Sequence, residues 1–295
     1  MVSRFTILIH ILAIVGIACF IYGYFIEPYW IDVRHVEIKT DKFKGTDLTI
    51  VQISDLHCDK KMRNEEALPK IINALDPDII VFTGDTLNTP RALPSFKKTM
   101  RALKAEIGKY AVRGNFDVWY WKEIDLFGET GFIELDGEVL TLSKGKEKFS
   151  LSGLSADSSF GDLSFLNSLA PDAYNVLLFH YPGINEELGD VAIDLFLSGH
   201  THGGQVALPF YGAIVTLSKY GKKYEAGRYD LVGKVLYVNR GIGMEGGIAP
   251  RIRIFARPEI TVFHIEPKDN TSGRSNSIIQ SDSLRTNRES VPGLR

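Results

Sequence analysis

LTIVQISDLH, residues 48–57, is the stretch that decides the fold. Leu48 to Ser54 carries no charge and is rich in β-branched residues, so it reads as a buried strand. Ser54-Asp55-Leu56-His57 then closes it with polar groups that a core has no use for. The same design returns in DIIVFTGD (78–85), KYAVRGN (109–115), NVLLFH (175–180) and DLFLSGHTH (194–202). Apolar spacing predicts helices between these runs over 64–75, 94–106 and 121–130, although Pro69 works against part of the first. Alternating strands and helices imply a layered α/β body. Further strands at 234–238, 251–256 and 260–265 follow without long intervening helices, which points to a second, mixed sheet.

Five strand ends thus offer, in order, Asp55 with His57, then Asp85, Asn115, His180, and His200 with His202. Singly, each has a plain explanation. Asp85 after Gly84 suits a turn, Asn115 after Gly114 is an ordinary turn pair, and His180 suits a hydrogen-bonded core histidine. Their shared place at strand ends argues for a common task. Asp-x-His and His-x-His on extended chain put the paired side chains on one face. This mixed oxygen and nitrogen set suits Mn²⁺, Fe²⁺ or Zn²⁺ and is a poor match for calcium.

The ordered motifs SDLH (54–57), TGD (83–85), GNFD (114–117), FHYP (179–182) and SGHTHGGQ (198–205) resemble those of the calcineurin-like metallophosphoesterases, over roughly residues 35–267. VNRGIG (238–243) and PRIRIFARPEI (250–260) look like the membrane-tethered bacterial branch related to UDP-2,3-diacylglucosamine hydrolases. The resemblance implies a four-layer α/β/β/α sandwich and two divalent metal ions, Mn²⁺ before Fe²⁺ or Zn²⁺. One ion takes Asp55, His57, Asp85 and His202; the other takes Asp85, Asn115, His180 and His200, with Asp85 bridging. The implied reaction is hydrolysis of a phosphodiester or pyrophosphate by in-line attack of water, with UDP-2,3-diacylglucosamine as the leading substrate. Two further residues are candidates for catalysis. Asp117 would orient its neighbours or cap the next helix, and Arg240 would approach a phosphate or serve as a structural arginine. Cys58 points away from His57 along the strand and reads as packing.

The third motif departs from the family's Gly-Asn-His-Asp or Glu, because Phe116 stands where the histidine is thought to donate a proton. Of the seven histidines four are implied ligands and His10 lies in the N-terminal apolar run, while His35 and His264 lie on strand-like segments far away in sequence. Family members that split UDP-diacylglucosamine also lack a histidine at the corresponding position. The departure leaves two readings: an enzyme whose leaving group needs no proton, or a metal-binding pseudoenzyme acting as a membrane-bound interaction module.

Phe5 to Ile26 carries no charge, and at about 1.5 Å per residue it spans the roughly 30 Å hydrocarbon core. Tyr24 and Phe25 at its end, with Tyr29 and Trp30 just beyond, form an aromatic belt. A cleaved signal peptide or a lipoprotein site at Gly16-Ile17-Ala18-Cys19 is the rival reading. Arg4 precedes the run, whereas Arg34, Lys39, Lys42 and Lys44 follow it, which places the body on the cytoplasmic side. We therefore expect an anchor at 1–30, a metallophosphoesterase domain at 31–267 and a disordered polar tail at 268–295. The expected partners are the bilayer and a lipid-linked phosphate substrate. Residues 93–104, basic and amphipathic, and 208–224, apolar with late lysines, could lie against lipid or be an ordinary helix and core hairpin. A net charge of −2 gives no electrostatic case for nucleic acid, and the two cysteines, Cys19 and Cys58, imply no disulfide framework.

Overall fold

Parallel pairing gathers the polar ends of these strands along one edge of the molecule. The computed structural model describes residues 3–156, 162–246 and 251–268. Its strands, in chain order, are β1 (Asp32–Thr40), β2 (Leu48–Ile53), β3 (Ile79–Phe82), β4 (Gly108–Ala111), β5 (Phe132–Glu134), β6 (Glu138–Lys144), β7 (Glu147–Leu154), β8 (Tyr174–Phe179), β9 (Leu195–Ser198), β10 (Ala207–Leu208), β11 (Gly212–Ala213), β12 (Gly227–Leu231), β13 (Lys234–Val238) and β14 (Glu259–Pro267). One sheet runs β1-β14-β2-β3-β4-β5 and a second runs β12-β13-β9-β8-β7-β6, while β10 and β11 pair as a small hairpin. Within them β2, β3 and β4 are parallel, as are β7, β8, β9 and β13.

Three apolar layers explain how the sheets stack. Ile50, Ile79 and Val81 from the first sheet meet Leu151, Val176 and Leu197 from the second in a central core. The outer face of the first sheet packs Ile80 and Phe82 against Leu68, Ile72, Phe96 and Met100, carried by α2 (Leu68–Asn73) and α3 (Leu93–Ala102). The outer face of the second sheet, with Leu177 and Phe196, is covered by Leu166 and Ile184. These last come from 3₁₀ turns at Leu163–Ser168 and Pro182–Glu186. The chain is therefore a mixed α/β sandwich of the expected kind, but among the described residues its fourth layer is 3₁₀ rather than α-helical.

Several local expectations fail for identifiable reasons. The helix expected over 121–130 is a series of turns, preceded by the short α4 (Asn115–Tyr120). The Arg113 guanidinium takes the carbonyls of Trp121, Lys122 and Ile124, which a helix there would have used itself. No strand forms over 251–256, where Ile254 makes only an isolated bridge to Val206. Phe255 breaks the extended run with a φ of 54°. β14 does not join the second sheet but inserts between β1 and β2 in the first. Helix 64–75 shrinks to α2, with Pro69 in its first turn, where a missing N–H costs nothing.

The N-terminal apolar run forms α1 (Arg4–Ile21), continued by a π turn at Tyr22–Ile26. No α1 side chain is buried in the protein, and the helix is long and apolar enough to cross a membrane. Its far end is docked on the body. Arg253 donates its backbone N–H to the Gly23 carbonyl at 2.9 Å, and a Cβ at Gly23 would lie 2.7 Å from Ile254. Buried Glu27 accepts the backbone N–H groups of Phe255 and Ala256. The expected tail, apart from Lys268, lies outside the described residues.

Candidate metal centre

Each sheet delivers its polar strand ends to one place. Asp55 and His57 follow β2, Asp85 follows β3, Asn115 opens α4, His180 follows β8, and His200 and His202 follow β9. The sharp turns off the strands force unusual backbone: Asp55, His57, Asp85, His200 and His202 all have positive φ, between 40° and 75°. Non-glycine residues enter this region rarely, and such strain collects at functional sites. Gly84, with a φ of 99°, lets two loops touch, since a Cβ there would stand 2.5 Å from the Gly114 nitrogen and 2.7 Å from His180 Nδ1.

Around the two aspartates the ring nitrogens converge. Asp85 Oδ2 lies 3.4 Å from His57 Nε2 and 3.3 Å from His180 Nε2. Asp55 Oδ1 lies 3.3 Å from His202 Nε2 and 3.9 Å from His180 Nε2. Two groups capable of holding a metal ion result, Asp55 with His57 and His202, and Asp55 with Asp85 and His180. The donors fit the ions that the family resemblance implies. His57 Nε2, His180 Nε2, both ring nitrogens of His202 and Asn115 Oδ1 are buried without a hydrogen-bond partner. Buried polar atoms are otherwise nearly always paired, so this concentration marks a ligand site.

The surrounding hydrogen bonds fix which atoms face inward. Asn88 donates to the carbonyls of His57 and Met244, which turns its Oδ1 towards His57 Nδ1 at 3.1 Å. His180 Nδ1 faces the Thr83 carbonyl at 2.7 Å. Both rings thus present Nε2 to the centre, the usual orientation of a ligating histidine. Burial opposes the charge on Asp55, yet His202 and His180 hold its pKa down at about 2. Burial disfavours a proton on His180, but Asp85 and Asp55 outweigh it and raise its pKa to about 10. Burial and the neighbouring His180 charge push His200 down to about 3, so it is neutral. A cation binding here competes with the His180 proton.

The sequence has known counterparts. The calcineurin-like phosphoesterase family matches residues 48–204. The chain is 35% identical over 262 residues to the metallophosphoesterase YkuE of Bacillus subtilis (strain 168), covering 83% of this chain and 90% of that one. It is a calcineurin-like phosphoesterase. It is 26% identical to the phosphodiesterase YaeI of Escherichia coli (strain K12), over 83% of this chain and 92% of the relative. It is also 25% identical to the UDP-2,3-diacylglucosamine pyrophosphatase LpxG of Chlamydia muridarum (strain MoPn / Nigg), over 79% and 92%. The activity is thus that of a metal-dependent phosphoesterase.

Within this phosphoesterase the remaining candidates separate. Asp117 is fully buried, and it caps no later helix, because 121–130 is not helical; it sits in the first turn of α4 itself. It accepts the backbone N–H of Gly114 at 2.9 Å, capping α4, and those of Asp85 at 2.8 Å and Thr86 at 2.9 Å, fixing the loop that carries Asp85. Burial and the Asp85 charge raise its pKa to about 6 against those hydrogen bonds. Arg240 lays its stem beside Gly203, but its guanidinium is engaged by Glu259 and Asp32. Cys58 packs in the outer core against the first sheet. His35 and His264 are brought together, 2.9 Å apart, on neighbouring strands β1 and β14, among neither of the two groups of ligand atoms. Sequence reading missed Asn88 and the Thr83 carbonyl, because residues that orient ligands carry no spacing signature of their own.

Phe116 occupies the decisive position. Its backbone N–H donates to Asp85 at 2.9 Å, while its ring stands edge-on to His57, centroids 4.7 Å apart. It walls a cavity of about 340 Å³ together with His200, His202, Val215 and Leu217. A second cavity, of about 240 Å³, also borders His200 and is walled by Trp119, Tyr181 and Tyr220.

Proposed function

We propose that this chain is a membrane-anchored two-metal hydrolase of a phosphodiester or pyrophosphate bond, with a lipid-linked nucleotide such as UDP-2,3-diacylglucosamine as its preferred substrate. The observation that carries the reading is Phe116, a side chain without a proton to give, set among buried donors aimed at a common centre. In this reading Asp55, His57, Asp85 and His202 hold one ion and Asp85, Asn115, His180 and His200 the other; Mn²⁺ leads, and Fe²⁺ and Zn²⁺ suit the same donors. Two divalent ions held there would supply charge for the phosphoryl oxygens and make a water nucleophilic at neutral pH.

The chain's own residues then determine which bond is cut. Asp117 holds the Asp85 loop, Asn88 and Thr83 hold the rings, and Phe116 leaves the departing oxygen unprotonated. An alkoxide leaves poorly under those conditions, whereas a phosphate leaving from a pyrophosphate carries its own charge. The apolar cavity wall at Val215 and Leu217 suits an acyl chain, α1 would keep the site near its lipid, and the LpxG relatives add weak support. The charge asymmetry around α1 favours a cytoplasmic domain.

Metal-loaded full-length protein should hydrolyse a lipid-linked nucleotide pyrophosphate and activated aryl diesters, and barely touch alkyl phosphomonoesters. Preference for an alkyl ester over every pyrophosphate would overturn the leaving-group argument. Phe116 also favours a second reading, the metal-binding pseudoenzyme. Metal bound at the centre with no hydrolysis of any of these substrates would establish that reading instead.

A further inference from the structure

We propose that the hairpin of β10 and β11, directly after His202, is a second membrane contact that holds the mouth of the metal centre against the bilayer entered by α1. The proposal rests on reading α1 as a membrane span. The hairpin exposes Leu208, Phe210 and Tyr211, the chain leaving it exposes Ile214, Val215 and Leu217, and Phe210 stands wholly outside the protein. Phe210 and Leu217 do so on backbone with φ of 66° and 52°, a conformation that bulky residues rarely adopt. A run of aromatic and aliphatic groups this exposed is unusual on a surface meeting only water.

The occupant follows from what the hairpin is attached to. Ala207 donates to the Ile254 carbonyl at 2.8 Å, and Ile254 donates to Gln205 at 2.9 Å. The adjoining residue, Arg253, donates to Gly23 in the last turns of the apolar helix. Two residues therefore connect the end of the span to the base of the hairpin. Glu27 clamps the same segment through Phe255 and Ala256, and Phe255 is itself exposed. Where α1 leaves the bilayer, the hairpin is thus held beside it. Behind the apolar tip, Lys222 lies 3.6 Å over the Tyr211 ring. A tyrosine with an amphipathic lysine is the composition favoured where hydrocarbon gives way to headgroups. Val215 and Leu217 belong both to this surface and to the cavity wall beside His200 and His202. A lipid would therefore pass from the leaflet to the centre without crossing water.

The test uses spin labels on the full chain in phosphatidylcholine–phosphatidylglycerol nanodiscs, with collision rates measured against oxygen, which enters lipid, and a nickel chelate, which does not. Three single-site samples suffice: native Cys19 in α1, Phe210→Cys with Cys19→Ser, and Val232→Cys with Cys19→Ser. Cys58 is buried, and position 232 is a fully exposed tip on the β12–β13 turn. The proposal expects position 210 to lose nickel collisions and gain oxygen collisions as Cys19 does, while position 232 behaves as in water. Position 210 matching position 232, with Cys19 in lipid, would overturn the hairpin contact and leave the anchor standing. All three labels in water would remove the anchor and the hairpin contact together. Neither result depends on hydrolytic activity.

Discussion

Replacing Phe116 with histidine tests the proposed chemistry most directly. The site can receive the smaller ring without rearrangement, since the backbone at 116 is fixed by its N–H to Asp85 at 2.9 Å. The phenyl ring makes edge contacts to His57 at 4.7 Å and to Tyr120 at 5.4 Å, and otherwise fronts the cavity. An imidazole in that volume would present a proton to the cavity in which the proposed leaving oxygen departs. General acid catalysis is typically worth about 10²–10⁴-fold, or roughly 2.7–5.4 kcal/mol. The new imidazole loses apolar contact and has no partner evolved to aim it, so the lower end applies: about 10²-fold in kcat/KM for an alkyl phosphodiester. A pyrophosphate, whose leaving group already carries its charge, should change by less than about threefold. The assay is kcat/KM across aryl and alkyl phosphodiesters of graded leaving-group pKa, with metal content measured in parallel and Phe116→Leu as the protonless control. The dependence on leaving-group pKa should flatten only in Phe116→His. An unchanged slope at intact metal content, or an equal gain on every substrate, would refute the reasoning.

The other predictions concern metal, packing and sidedness. Asp85→Asn and His200→Ala should each lower bound metal, by elemental analysis of purified protein, and abolish hydrolysis; full stoichiometry and activity in both would remove the proposed centre. Arg253→Met should destabilise the protein by roughly 3 kcal/mol or more, because the buried guanidinium serves the carbonyls of Arg240, Gly241, Gly243 and Ala256. A melting temperature within about 2 °C of wild type would contradict that, given about 2–4 °C per kcal/mol for a domain of this size. Protease added to intact cells should spare the body if it faces the cytoplasm, whereas digestion of residues 31–267 from outside would reverse the orientation.

Much of the candidate site was legible because strands ending in donor side chains have a simple signature. A short charge-free run such as Leu48–Ile53 followed by Asp55 and His57 announces both a buried strand and what it holds. The structure gathers Asp55, His57, Asp85, His180 and His202 into two overlapping groups of donors, while His200, its ring centroid 5.1 Å from that of His180, and Asn115 belong to neither group. What escaped was decided by partners distant in sequence. Nothing in WKEIDLFGET, residues 121–130, says that Arg113 will take its carbonyls. β1 reads poorly as a core strand because it is an edge, with Arg34, His35, Glu37 and Lys39 exposed. β14 goes to the first sheet because β1 and β2 leave a place for it between them, a fact about topology that no local pattern carries. Asp117 was ambiguous in sequence between orienting its neighbours and capping a later helix; it holds the Asp85 loop, and the helix it caps is the one it lies in.

The backbone of the centre also bears on whether Phe116 marks a vestige. Five of the seven implied ligands sit at positive φ, each costing about 1 kcal/mol or more in an ordinary loop. Asp55 and Asp85 are buried almost completely, and His57, His180 and His202 leave buried nitrogens without hydrogen bonds. Nothing in the sandwich core requires this arrangement, since Ile50, Val81, Leu178 and Leu197 pack between the sheets whatever the strand ends carry. Cations at the centre would offset such costs by pairing the carboxylates and the free ring nitrogens together. Retention of metal therefore follows from the energetics of the loops and does not by itself distinguish an enzyme from a pseudoenzyme. The leaving-group series does distinguish them, because only a working centre gives a rate whose dependence on leaving-group pKa can change when a proton is restored at position 116.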